Sequence, residues 1–206
     1  MLPLDFPITA RSGQGEVMMS TNKEFLDILL MRTVEAAIGP SALRNQGSGN
    51  VIGRTRQFLG HISYEQFVTD RKVQFQRELD KQTRLLVGNL PERARNWGAA
   101  RKALNLMLRD ILYNQYLQKE YQFNRIEKFL ELPLDQFVAK GIIHDSTDEL
   151  PKWRGIKYLT ETDNDRYQNA ASVIAAAKKI QRIHLDVYYW RNIGKTKELT
   201  QNKRFT

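Results

Sequence analysis

Cysteine is absent from the 206 residues. Its absence removes disulfides, thiol nucleophiles, thiolate zinc sites and cysteine-ligated iron–sulfur clusters. Long apolar runs are missing as well; the stretch 25–31 is among the longest and is far too short to span a bilayer. The N-terminus shows no charged leader followed by an apolar core, so a cytoplasmic protein without a membrane anchor is expected. Histidine is scarce: His61, His144 and His184 lie far apart without ligand spacing, so no metal site is expected. No phosphate loop, dinucleotide fingerprint or Gly-x-Ser-x-Gly elbow occurs, and no cofactor is expected. No internal repeat is evident, and no run alternates apolar and polar residues with β-branched enrichment at strand length. The chain reads as all-α.

Basic charge is what the chain has in excess. There are 32 Lys and Arg against 23 Asp and Glu, giving a net charge of +9 and a pI near 9.7. Such an excess points to a polyanionic partner, with nucleic acid ahead of membrane. The length suits one globular unit or two small lobes.

Residues 1–20, with two prolines and two glycines, read as an irregular tail. A helix capped by Thr21 or Asn22 then carries Phe25, Leu26, Leu29, Leu30 and Val34 at helical spacing up to Gly39-Pro40. The stretch 41–50 is the most loop-like of the interior and holds Arg44, Asn45 and Gln46; a second helix follows with Arg54 and Arg56. One long or two short amphipathic helices are expected between Ser63 and Val87, and Leu90-Pro91 breaks the chain. The strongest helix runs from Trp97-Gly98 to about Lys119, with Trp97, Ala100, Leu104, Met107, Leu108, Ile111 and Leu112 on one face. At about 100° per residue, Lys102 falls about 160° from Leu104, beside Leu106, Arg109 and Tyr113, and so is expected to face away from the main core. A short helix over 126–130 leads to Leu132-Pro133-Leu134-Asp135, where Asp135 suits a helix N-cap. A loop from Gly141 to Gly155 is expected next. The last long helix starts at Asp163 or Asn164 and runs to Trp190, ahead of a basic tail. This divides the chain into a tail (1–20), an N-terminal helical lobe (21–90), a hairpin-like lobe (91–150), a C-terminal helix packing back (151–191) and a basic tail (192–206).

Gly98-x-x-Arg101-Lys102-x-x-Asn105-x-x-Leu108 resembles the Gly-x-Gly-Arg-Lys-Thr-Ala-Asn run of helix-hairpin-helix DNA glycosylases. Leu132-Pro133-Leu134-Asp135-Gln136-Phe137-Val138 is similar to that superfamily's Val-Pro-Val-Asp-Thr-His-Val stretch, and Leu43-Arg44-Asn45-Gln46-Gly47 to its Leu-Ser-x-Gln-Thr segment. The 33 positions between Lys102 and Asp135 are closest to the archaeal 8-oxoguanine branch. Ala100 replaces the hairpin's second glycine, Phe137 replaces the histidine after the aspartate, and the Leu-Pro-Gly lead-in is altered.

The resemblance implies two helical lobes with a helix-hairpin-helix-like element and a cleft between them. It makes Lys102 the nucleophile and Asp135 the essential carboxylate of base excision, with β-lyase chemistry open to the lysine. The partner is then DNA, a duplex with one modified base flipped out, and the protein a monomer. Arg44, Arg54, Arg56, Arg101 and Lys140 would meet DNA, Asn45 and Gln46 would fill the opened duplex, and Trp97, Tyr113, Phe137 and Trp153 would line the base pocket. The base is either an oxidised purine or a hypermodified base such as glucosylated hydroxymethylcytosine. Lys102 on a solvated face and Asp135 as a plain cap are the ordinary alternatives. They go with a non-catalytic helical DNA-binding protein or a helical interaction protein.

Overall fold

Helix is the only regular structure among residues 13–43 and 50–190, which the computed structural model describes, with side chains from residue 23. The described residues form α1 (Gly13–Ala37), α2 (Val51–Leu59), α3 (Lys72–Asn89), α4 (Trp97–Tyr113), α5 (Gln115–Glu120), α6 (Gln136–Asp145) and α7 (Glu161–Ala177), then a last helical segment over 185–190, with short 3-10 turns between several of them. Among the described residues no helix is long and apolar enough to cross a membrane.

Several ends are written in side chains. Asn50 caps α2 by accepting from Gly53 N–H at 3.0 Å, Asn96 caps α4 through Ala99 N–H at 2.9 Å, and Thr160 caps α7 through Asp163 N–H at 3.1 Å. Asn114 ends α4 earlier than periodicity suggests: its Oδ1 accepts from Tyr116 and Leu117 N–H and starts α5 instead. The expected amphipathic pair is the 3-10 turn Tyr64–Phe67 followed by α3.

Other boundaries also differ from the sequence reading. α1 begins at Gly13 rather than near residue 21, because Ser20, Thr21 and Asn22 continue a helix at only a small propensity cost. The segment 126–130 holds only the 3-10 turn Glu127–Phe129, directly after another at Phe123–Arg125, and Gln122 turns left-handed (φ 53°) just before them. α6 persists to Asp145 because Gly141 lies in its interior, where a Cβ would overlap the Tyr189 ring. The last helix breaks after Ala177, where Lys179 turns left-handed (φ 56°), and helical structure resumes over 185–190.

The buried apolar residues form two clusters. One holds side chains from Leu30 to Leu130 with Ile183; the other runs from Leu132 to Tyr189. Glu131 sits at the break in the chain between them and is itself 3% exposed. α4 is the central element. α1 and α3 pack along it, and the 3-10 turn Ile156–Tyr158 closes over its first turn. Gly98 permits that closure: a Cβ there would overlap the Ile156 carbonyl oxygen. The glycine that stands in the hairpin run is therefore a packing glycine, covered by protein backbone.

Candidate active site

α4 is buried nearly all round, and this corrects the expectation for Lys102. The helical wheel places Lys102 opposite the apolar stripe, yet only 8% of it is exposed. The two polar sides of α4 face other protein segments, and each is matched by charges from distant parts of the chain.

On one side, Arg101 is 2% exposed and binds Asp80, Thr83 Oγ1 (2.9 Å) and Glu131 (3.0 Å). Its guanidinium also lies over the Trp97 ring, 4.8 Å from the centroid. Glu131 additionally accepts from Gln76 (3.2 Å), Asn105 (3.2 Å) and Asn164 (3.3 Å). Gln168 pairs with both backbone groups of Leu132, at 2.9 and 2.8 Å, and Arg182 donates to the carbonyls of Leu130 and Phe129 at 2.8 Å each. The buried strap 130–134 is thus fastened from α3, α4, α7 and the 182–184 turn. It delivers Asp135 to one position.

Asp135 uses its oxygens differently. Oδ1 accepts from Phe137 N–H (2.9 Å) and Val138 N–H (3.0 Å), capping α6 as expected. Oδ2 faces Lys102 Nζ at 3.8 Å, an ion-pair distance that leaves a gap beyond hydrogen-bond contact. Burial lowers the Lys102 pKa from the usual lysine value; Asp135 and Asp186 work against that shift and Arg109 adds to it.

Further along the same face come Arg109 and Tyr113. Arg109 is gripped by Asp110 (2.7 Å) and by Asp186, which is 6% exposed. Burial raises the Asp186 carboxyl while Arg109 pulls it back. Tyr113 shares a 2.9 Å hydrogen bond with His184 Nδ1 and stacks on its ring, centroids 5.7 Å apart; His184 Nε2 lies 2.7 Å from Glu127. With Nε2–H donating to Glu127, Nδ1 accepts from the Tyr113 hydroxyl. Burial pushes that hydroxyl up to about 12, so it stays a donor.

The residues expected to meet DNA or the base separate into two groups. Arg101 is withdrawn from a DNA role, because its guanidinium is spent inside the fold. Arg56 likewise donates to the carbonyls of Glu35 and Ile38 at 2.9 Å each, closing the end of α1. Trp97 packs against the second apolar cluster under Arg101, and Trp153, half-buried, packs edge-on against Tyr167 at 5.7 Å. Lys140 and Arg54 are exposed, Arg54 touching the Asn89 carbonyl at 3.3 Å. Phe137 is 51% exposed in the first turn of α6, next to Asp135, and Tyr113 is 44% exposed. Arg44, Asn45 and Gln46 lie outside the described residues.

One residue near the pair escaped sequence reasoning. Asp186 stands 51 positions after Asp135 with no motif around it, and only the folded chain sets it near Lys102. Trp190, 66% exposed, follows it by four positions in the helical segment 185–190, a spacing that puts both on one face. Comparisons with family models, curated proteins and solved structures give no match to this chain.

Proposed function

We propose that the protein is a DNA glycosylase that flips a modified base out of a duplex and excises it with Lys102 as nucleophile and Asp135 as the assisting carboxylate. The observation that carries this reading is the convergence of the two sequence runs: Lys102 Nζ and Asp135 Oδ2 stand 3.8 Å apart, on a lysine whose pKa burial lowers. The two apolar clusters support a two-lobed arrangement with the pair near their junction, the cleft opening between them to admit the base.

Breaking an N-glycosidic bond builds positive charge on the sugar and negative charge on the departing base. The Asp135 carboxylate stabilises the first, held in place by the α6 N-terminus rather than free to rotate. The neutral Lys102 amine attacks C1′ as the bond to the base breaks, and the bond pair leaves with the base. Loss of the amine proton and opening of the sugar ring give a Schiff base, which water hydrolyses or which allows strand cleavage by β-elimination. Phe137, exposed and two positions after Asp135, is the best candidate for stacking on the base. Lys140 and Arg54 are candidates for phosphate contact.

The direct test is borohydride trapping on an abasic duplex. Wild type should give a covalent adduct and Lys102→Ala none; an adduct that survives Lys102→Ala removes the lysine from the mechanism. Base release should be followed separately, because an enzyme that used Asp135 with water would release base and trap poorly.

A further inference from the structure

The outer face of α3 carries a row of cations that takes no part in the Lys102 site. At about 100° per residue, Arg77, Lys81, Arg84 and Gly88 fall within about 60° of one another. They lie opposite the buried Phe75, Leu79, Thr83 and Leu86, and all four are exposed. The row continues past the end of the helix, where its carbonyls hold two more guanidiniums. Arg54 donates to the Asn89 carbonyl at 3.3 Å and Arg95 to the Leu90 carbonyl at 3.1 Å. From Arg77 to Asn89 the helix rises about 18 Å, the length of about five phosphates along one nucleic-acid strand.

These cations differ from those along α4. Arg101 and Arg109 are each gripped by two carboxylates. Among the described residues, Arg77 and Arg84 make neither an ion pair nor a hydrogen bond, and Lys81 reaches only Gln66 and Glu78. The α3 carboxylates beside the row are engaged. Glu78, with 14% of its side chain exposed, accepts from Lys81 and Gln82, and Asp80 accepts from Gln76 and Arg101. Glu92, exposed just after the helix, offsets one charge. A row of like charges without counter-charge in the protein repels itself and attracts a polyanion.

The partner follows from the middle of the face. A protein interface is depleted of charge at its centre; here the centre holds the cations, and Val73 and Leu85 stand at the margins. Gly88 adds open space, since a Cβ there would meet nothing within 4 Å. Guanidinium forks match phosphate oxygens, and cations repeating along an axis match a repeating charge.

We propose that the outer face of α3 is a docking surface for a nucleic-acid backbone, separate from the Lys102–Asp135 pair. α3 packs on α4 through its opposite side, so the row is turned away from α4 and holds a different stretch of nucleic acid from the one whose base meets Lys102. The proposal stands apart from the glycosylase reading.

Fluorescence anisotropy of the full chain with an unmodified duplex, across a salt series, tests it. Arg77→Gln/Arg84→Gln should lower the slope of log affinity against log salt by about 2, with the unfolding midpoint unmoved. Lys23→Gln/Lys119→Gln removes the same charge from exposed positions on α1 and α5 and should lower the slope by less than half as much. Borohydride trapping on a saturating abasic duplex should keep its wild-type rate in Arg77→Gln/Arg84→Gln; a rate that falls with the slope would overturn the separateness of the two sites. A slope that the α3 pair leaves in place, or that both pairs lower equally, overturns the docking surface. So does a loss of affinity confined to polyglutamate, which would make the row a site for acidic protein. Absence of trapping beside the expected change in slope overturns the glycosylase reading alone.

Discussion

Asp135 has two claims on its carboxylate, and each claim uses a different oxygen. The cap is satisfied through Oδ1 and the ion pair with Lys102 through Oδ2, so the roles can be separated by substitution. Asp135→Asn keeps an excellent N-cap, and unfolding stability should stay within about 0.5 kcal/mol of wild type. Asp135→Ala loses the cap and should cost about 1 kcal/mol. Base release should fall at least about a hundredfold in both. An Asp135→Asn protein that is stable and fully active would reduce Asp135 to a cap. Lys102 has its own signature. The amine must be neutral to attack, so trapping should rise with pH and level off below the ordinary lysine value of 10.5. The Asp186 carboxylate favours the ammonium form; Asp186→Asn should therefore move that limb to lower pH. Linkage has the matching sign: between the lowered folded pKa and the unfolded one, the unfolded chain binds more protons, so Lys102 makes stability rise with pH there. A limb that stays at the ordinary lysine value in both proteins would show that another group titrates.

At the scale of elements, α4 explains both what the sequence disclosed and what it hid. The apolar stripe is a local pattern, and it identifies the helix; that Lys102 and Asp135 come within 3.8 Å is a product of the fold. The positions of Arg101, Asn105 and Lys102 off that stripe suggest solvent, because a wheel knows only its own helix. Their partners, Asp80, Glu131, Asp135 and Asp186, come from four other segments, and no local period announces them. Trp97 and Trp153 were hidden for the same reason: whether a large aromatic stacks on a ligand or on Arg101 and Tyr167 depends on chain that arrives later. The Arg101 network gives a prediction that a DNA-contact role does not. Arg101→Met leaves Glu131, 3% exposed, without its cation, and should cost about 3–5 kcal/mol of stability in urea unfolding. A surface phosphate contact would instead leave the unfolding midpoint almost unmoved. The strap 130–134 is pinned through the same glutamate, so loosening it should also displace Asp135.

The whole molecule carries a charge of +9, but its cations are not equivalent. Arg101, Arg109 and Arg182 are committed to internal carboxylates or carbonyls, and Arg56 closes α1. Their charge contributes to the field around the protein, while their guanidiniums are not free to replace counterions on a phosphate. Lys140, exposed on the helix that Asp135 caps, is free to do so. Duplex affinity should therefore fall linearly with the logarithm of salt concentration, with a slope set by the exposed cations at the interface rather than by the net charge. Lys140→Gln should reduce that slope by about 1 and weaken binding to modified and unmodified duplexes alike. Arg56→Gln changes the net charge by the same amount. It should leave the slope in place and lower the unfolding midpoint, because the lost interaction lies within the fold. Fluorescence-anisotropy titrations across a salt series separate the two outcomes. Equal effects of the two substitutions on the slope would mean that DNA responds only to overall charge, and no measurable duplex affinity at low salt would favour a helical interaction protein with incidental basicity.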